Sequence, residues 1–415
     1  MKKMKYFSDK LSAGFIAIYS GRMTLTVATQ LLGLFMPIFL YQVFGFNIVW
    51  VLAYYILRDF LYLISLPLGP KIFMNRVGLK NSIRLGVIFG SLFYAGFFIL
   101  EKYTSSMEVI SGEFVPEAWL VTIILTVAVI FTLHRLTYWV PLHTDITEFT
   151  SKKDRGKQVS LMAVTQVVLG ALMPLAAGWL LMEFSYSFLF VIAILIYFVA
   201  LIPFSALPKV NEKFSWTYKK TWKEFTSKAR RKLMIAYSAD GAESGVRLII
   251  WPIFIWELLN GNYLKVGIIS SLVVVVTVVA QLIVGKYTDK VSRKKMLKYG
   301  TILYSIGWLV KIFIASAFQI FVISAYHNIA NIFSRTSFDA INYENAADQG
   351  HYVDEYTVLR EMAIQVGRIT MSVAIILIVP YLSIELTFIF AALAVLAMNF
   401  ITDSQEIERA KLMRI

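Results

Sequence analysis

The chain has no cysteine among its 415 residues, so disulfides, thiol chemistry and thiolate metal sites are all excluded. Its four histidines are scattered and suggest no multi-histidine metal site. Nothing resembles a Gly-rich phosphate loop, which speaks against ATP drive, and no cofactor is expected. Charge is scarce too: 16% of the residues are charged, against about 25% in an ordinary soluble chain, and they are confined to short intervals. What remains is apolar. Hydrophobic residues make up 58% of the chain, in stretches of about 20 or more, the length a helix needs to cross a bilayer. A membrane barrel would instead need strands of about 10 residues with alternating polarity. Runs such as Leu272–Val284 and Val373–Tyr381 do not alternate. The sequence therefore predicts an all-α polytopic membrane protein.

The formal net charge of +14 raises the idea of a nucleic-acid partner, but the basic residues sit in loops beside hydrophobic segments. That is the orientation bias of membrane proteins, so no nucleic acid is expected. The opening Met1-Lys-Lys-Met-Lys5 resembles the basic start of a signal peptide. No small-residue cleavage site precedes Arg22, however, and the reading is an uncleaved first helix. Twelve spans are expected at 14–42, 47–69, 84–100, 118–140, 158–181, 185–206, 233–258, 264–285, 298–316, 318–338, 357–380 and 383–402. Intervals 70–84, 151–157 and 286–298 are basic, whereas 41–49 has no Lys or Arg and 101–117 is acidic. Alternation of this kind places both termini in the cytoplasm of a plasma (inner) membrane. Interval 339–356, with five acids, departs from the pattern, but acids count little in that rule. Residues 207–232 form a basic linker between a bundle at 1–206 and a bundle at 233–415. With Trp216, Tyr218 and Trp222 among its lysines, the linker reads either as an amphipathic segment on the anionic leaflet or as a solvated connector.

The two halves repeat each other. Ala17-Ile-Tyr-Ser-Gly-Arg22 parallels Ile235-Ala-Tyr-Ser-Ala-Asp240, and Met36-Pro-Ile-Phe-Leu-Tyr-Gln42 parallels Trp251-Pro-Ile-Phe-Ile-Trp-Glu257. Arg135 and Gln166 correspond to Arg335 and Gln365. Duplicated halves are a common construction for transporters, with the site between them. The segment Gly285-Lys-Tyr-Thr-Asp289-Lys290-Val-Ser-Arg293-Lys294-Lys295 resembles the loop signature of the major facilitator superfamily. A weakened copy lies at Arg76, Gly78 and Lys80, with Asn75 in place of the aspartate. The resemblance implies twelve transmembrane helices in two pseudosymmetric six-helix bundles, with the first and fourth spans of each half lining a cavity. It also implies a cytoplasmic lock in which Asp289 meets the start of span 5 near Gln158–Ser160. A weaker mirrored lock would set Asn75 against span 11 near Glu355–Arg360.

Ionisable residues inside a span cost about 2.5–3.5 kcal/mol each on insertion scales, so they normally face a cavity or a partner. Span 1 carries Arg22, Thr26 and Gln30, span 4 His134 and Arg135, span 7 Asp240, Glu243 and Arg247, and span 10 His327, Asn331 and Arg335. These are the spans the resemblance assigns to the cavity. Asp240 and Glu243 are the candidates for proton coupling, since a carboxylate in a partly dry cavity can load and release a proton. Arg22, the repeat counterpart of Asp240, is expected as its ion-pair partner, with a permanent structural bridge as the alternative. His134 and His327 are candidate proton shuttles or hydrogen-bonding partners. Arg58–Asp59 reads as a local pair, Lys311 as a snorkelling lysine, and Arg360, Glu361 and Arg368 as braces. The expected function is proton-linked transport of a small organic solute by a monomer, with excess arginine favouring an anionic one. Export of amphipathic compounds is the alternative. Other classes are a transporter-like sensor, or a membrane-embedded transferase for which His143-Thr-Asp145 would be the nearest motif.

Overall fold

The computed structural model describes residues 11–104, 117–149, 154–210, 213–285, 292–347 and 353–401, and among them there are helices and turns but no strand. In the first half of the chain the main helices are α1 (Ala13–Gly33), α2 (Met36–Val43), α3 (Ile48–Ser65), α4 (Gly69–Ile72), α5 (Leu79–Thr104), α6 (Ala118–Phe149), α7 (Arg155–Glu183) and α8 (Tyr186–Ser205). A short α9 (Tyr218–Phe225) lies in the linker, followed by α10 (Arg231–Gly245), α11 (Trp251–Leu258), α12 (Tyr263–Gly285), α13 (Arg293–Lys311), α14 (Ala317–Ala347), α15 (Val353–Ile378) and α16 (Thr387–Ala397).

Local chemistry sets the ends and breaks. The Ser12 hydroxyl accepts from the Phe15 N–H at 3.0 Å and starts α1, as the Asn47 side chain starts α3 by accepting from Val49 N at 2.9 Å. These caps satisfy amides that a helix start leaves open. Between α1 and α2 the axis bends by 43°, next to Pro37, which has no N–H and crowds the carbonyl four residues back. The second half repeats the device: a π-helical turn at Val246–Ile250 leads into α11 beside Pro252. The turns that follow match as well. Gly45 and Phe46 after α2, and Asn260 and Gly261 after α11, all have positive φ, and they correspond at the same offset as the two prolines. These two segments thus repeat each other in backbone conformation as well as in sequence.

Among the described residues seven helices are long and apolar enough to cross a membrane, or eight if α1 and α2 count as one bent span. They fall on expected spans 1 to 6, 8 and 11. The other expected spans are helical as well, but spans 7 and 10 are too polar and broken or striped, span 9 begins in a basic turn, and span 12 is a short α16 between 3-10 turns. Several boundaries differ from expectation: α6 runs nine residues past 140 and α14 nine past 338, because polar residues outside a bilayer core do not end a helix.

The first and second halves of the chain meet along α3 with α15, α6 with α15, α7 with α12, and α2 with α11. The α7–α12 contact depends on small residues. A methyl added at Gly178 would lie 2.5 Å from the Tyr263 carbonyl oxygen, and one at Gly267 2.4 Å from that of Pro174. Backbones approach this closely in membranes where small residues leave room.

Candidate functional site

A cavity of about 240 Å³ lies between the two halves. Its wall combines Leu32 and Met36 at the α1–α2 bend, Tyr55 and Arg58 of α3, Phe93 and Tyr94 of α5 and Phe131 of α6 with Ser244, Leu248 and Arg368 from the second half. The expected lining was spans 1, 4, 7 and 10. Spans 1, 4 and 7 contribute, but the wall also takes residues from spans 2, 3 and 11 and none from α14. The bend after Gly33 brings the α1–α2 corner to the interface, while the polar stripe of α14 is absorbed within its own half.

Two arginines face this cavity, and neither had been assigned to it. Arg58 forms a tight pair with its neighbour, Nε and Nη2 donating to Asp59 Oδ1 at 2.9 and 2.7 Å. Its guanidinium lies 4.4 Å from the Tyr55 ring centre and 4.5 Å from that of Phe131, two cation–π contacts that help fix its direction. Arg368 donates from Nε to Ser244 Oγ at 3.0 Å and makes no ion pair with the described residues. One sequence signal was available: Arg368 has no acid three or four residues away on its helix.

The ionisable residues expected to couple protons sit in a second cluster, inside the second half. Asp240 Oδ1 accepts from Arg335 Nη1 at 2.5 Å, and its other oxygen lies 4.0 Å from Arg360 Nη2. Arg335 also reaches Asp339, Nε to Oδ2, at 3.2 Å. The expected Asp240–Arg22 pair is therefore not formed. Arg22 instead faces the Gln166 amide oxygen at 3.2 Å from both Nε and Nη2 in the amide orientation that satisfies both groups. Glu243 accepts from Arg247 Nε at 3.1 Å and from the Tyr304 hydroxyl at 2.6 Å. Beside it the His327 ring packs tilted against Tyr304, centres 4.3 Å apart, and edge-on against Trp308 at 4.8 Å, 2% exposed, with neither ring nitrogen hydrogen-bonded. Lys311 does not snorkel. It is 2% exposed, its Nζ 3.9 Å from the Trp251 ring centre and 4.0 Å from that of Trp308.

The remaining expected residues have local roles. Thr26 donates to the Arg22 carbonyl at 2.8 Å, Gln30 is half-buried near Gly170, and the Asn331 side-chain oxygen faces Ser334 Oγ at 3.4 Å. His134 is held by the Gly86 carbonyl at 2.7 Å and stacked on Tyr138, which removes it from the interface between the halves. Arg135 does cross that interface: its Nη2 donates to Glu361 Oε2 at 2.8 Å, and its guanidinium covers Tyr62 at 4.3 Å.

Contacts between the halves close the cavity on two sides. On the side of the α2 and α11 ends, the Tyr41 hydroxyl donates to Glu257 at 2.6 Å and the Tyr263 hydroxyl to Gln42 at 2.9 Å. On the other side lie Arg135–Glu361 and the linker. Asn75 was expected to face α15, but it grips the linker backbone, donating to the Phe214 carbonyl and accepting from its N–H, both at 2.9 Å. The next residue, Ser215, donates from N and Oγ to Glu355 of α15 at 2.8 and 2.6 Å. At Phe214 and Trp216, both buried in protein, the linker bridges the α4–α5 segment and α15, while Tyr218 at the start of α9 is exposed. Of the signature residues, Arg76, Arg293 and Lys294 are exposed, Gly78 ends a π-turn with φ 81°, and Gly285 ends α12. Asp289 and Lys290 lie outside the described residues, as do the side chains of His143 and Asp145.

The helices, long and apolar enough to cross a bilayer, define a polytopic membrane protein with a cavity between its halves. Residues 233–405 match the model of the Major Facilitator Superfamily. The fold is similar to solved structures of peptide transporter POT, in mutant form and in complex with alafosfalin, at a TM-score of 0.69 and 11% identity, covering 95% of both chains. A second structure of that mutant matches at 0.69 and 9% identity over the same shares. An uncharacterised protein of Bacillus subtilis (strain 168), YqgE, is 23% identical over 315 residues, 72% of this chain and 68% of that protein. The second half of the chain thus resembles the Major Facilitator Superfamily, and together with the fold this supports a secondary transporter rather than an enzyme.

Proposed function

We propose that the chain moves a small organic solute by alternating access, as twelve spans in two six-helix bundles rock about the cavity. The observation that carries this reading is the cavity's position between halves that touch on both sides of it: through Tyr41–Glu257 and Tyr263–Gln42 on one, and Arg135–Glu361 and the Asn75–Phe214–Ser215–Glu355 bridge on the other. Opening either set while the other holds exposes the cavity to one face only, which is what alternating access requires. The basic intervals orient the Asn75 side, both termini and the linker toward the cytoplasm of the plasma membrane. There the Gly285–Lys295 loop, with Asp289, would act as a lock on the start of α7.

Proton coupling belongs to Asp240 and Glu243. Both are buried carboxylates whose partners come from other turns or helices, so protonating either one releases an arginine or a tyrosine and changes how α10 is held. The partnerless His327 ring lies one aromatic contact away. This supports a route for protons through the second half, separate from the solute cavity. The test is flux in proteoliposomes with an imposed pH gradient: uptake that collapses with the gradient supports the reading, and uptake indifferent to it excludes coupling to protons.

A further inference from the structure

The cavity between the halves carries a charge imbalance. Around Phe131, which lines it, lie Arg58 at 4.5 Å and Arg135 at 5.9 Å from the ring centre, and Arg368 closes the opposite wall. Asp59 answers Arg58, and Glu361 answers Arg135. Arg368 hydrogen-bonds only the neutral Ser244 hydroxyl among the described residues; Asp59 and Glu361 attract it at longer range while each pairs with its own arginine. Three guanidiniums thus stand against two carboxylates. One unit of positive charge is in excess, in a region where an uncompensated ion is costly.

The walls are otherwise aromatic and aliphatic. At about 30 Å³ per water, the volume of about 240 Å³ equals that of roughly eight waters. That is below the roughly 300–1,000 Å³ of pockets for drug-sized ligands. We infer that this cavity binds a small organic monoanion, a carboxylate with an apolar body. Arg368, oriented by Ser244, holds the carboxylate together with Arg58, and the body lies against Tyr55, Tyr94 and Phe131. A planar guanidinium suits a carboxylate because it offers parallel donors. The pairing of Arg58 and Arg135 with their own acids leaves charge for one anion and not for a dianion. The inference rests on the transport reading only for the claim that the anion is carried; the binding site stands on the cavity itself.

The experiment is a thermal-shift and calorimetric titration of the full-length protein in detergent with acetate, isovalerate, benzoate and phenylacetate. Phenylacetamide is the uncharged match and succinate the dianion. Isovalerate, benzoate or phenylacetate should stabilise the protein, and phenylacetamide and succinate should not. Arg368→Gln should weaken that binding about tenfold to a hundredfold, as the loss of a charge-assisted contact does, and Arg368→Lys should recover part of it. Without ligand, Arg368→Gln should melt no lower than the parent, because it removes an unpaired charge; a purely structural arginine would lower it. Equal binding of phenylacetamide, or no carboxylate of the panel binding in an Arg368-dependent way, overturns the proposal. Binding without flux in proteoliposomes keeps the site and removes the transport reading. Flux of an uncharged solute unaffected by Arg368→Gln does the reverse.

Discussion

Arg135 of α6 and Glu361 of α15, 226 positions apart in sequence, join the two halves of the chain through one 2.8 Å hydrogen-bonded ion pair. Both side chains are largely buried, and Tyr62 stacks on the guanidinium. Breaking a buried pair by removing one partner costs about 3–5 kcal/mol, because the other charge is left behind. Arg135→Gln and Glu361→Gln should each destabilise the protein on that scale, and the double variant should lose much less than their sum. Melting of the four proteins in a double-mutant cycle measures it; additive losses would mean that the two residues do not act as a pair.

The opposite side of the cavity can be probed with the chain's own lack of cysteine. A side chain at Gly33 meets no heavy atom within 4 Å, so Gly33→Cys should be tolerated and report on access beside the cavity. Removing the hydrogen bond from Tyr41 to the Glu257 carboxylate gives up about 1.5–3 kcal/mol. Tyr41→Phe should therefore raise the rate at which a polar thiol reagent labels Gly33→Cys by about tenfold or more. An unchanged rate would show that this contact does not hold the cavity closed.

Asn75 stands where the family signature has an aspartate, yet restoring the acid should do harm. The amide serves the Phe214 backbone as donor and acceptor at once. A carboxylate would keep the N–H contact and set its second oxygen against the Phe214 carbonyl. Asn75→Asp should lower stability by about 0.5–1.5 kcal/mol, the net contribution of one hydrogen bond, and should speed proteolysis within the linker. Wild-type melting and cleavage rates in Asn75→Asp would refute this clamp.

Lys311 is held by two indole faces in place of a carboxylate. Cation–π contacts of this sort give up to about 2 kcal/mol or more each when desolvated, against several kcal/mol for burying the ion. Lys311→Met, similar in length and uncharged, should be neutral or should stabilise by about 1 kcal/mol. Trp308→Leu should destabilise strongly because it removes the shared wall of Lys311 and His327. A loss of stability in Lys311→Met beyond about 2 kcal/mol would show that the lysine has an acceptor in the folded protein.

Asp240→Asn leaves Arg335 and Arg360 facing one another without their shared acid. The variant should lose pH-driven accumulation of solute and keep exchange of solute across the membrane, since exchange needs no net proton movement. Accumulation at the parental level would remove Asp240 from the mechanism.

The sequence by itself determined the helical membrane architecture, the duplication and which residues had to be hidden. Apolar run length, repeat spacing and the insertion cost of charge are properties of the chain read in order, and they pointed to Asp240, Glu243 and His327, all of them buried. Partnership was decided only in three dimensions. Asp240 met Arg335 instead of Arg22 because α10 packs within its own half against α15 and near α14, whereas Arg22 turned to Gln166. Lys311 lay close enough to a helix end to suggest an escape to the interface, and the placement of Trp251 and Trp308 closed that route. Arg58 and Arg368 were legible as intramembrane charges but not as a pair of cavity walls. A lone sequence cannot show which faces of α3 and α15 meet, since both helices carry polar residues on more than one face. That meeting, set by side-chain packing between distant segments, is what leaves one arginine without an acid.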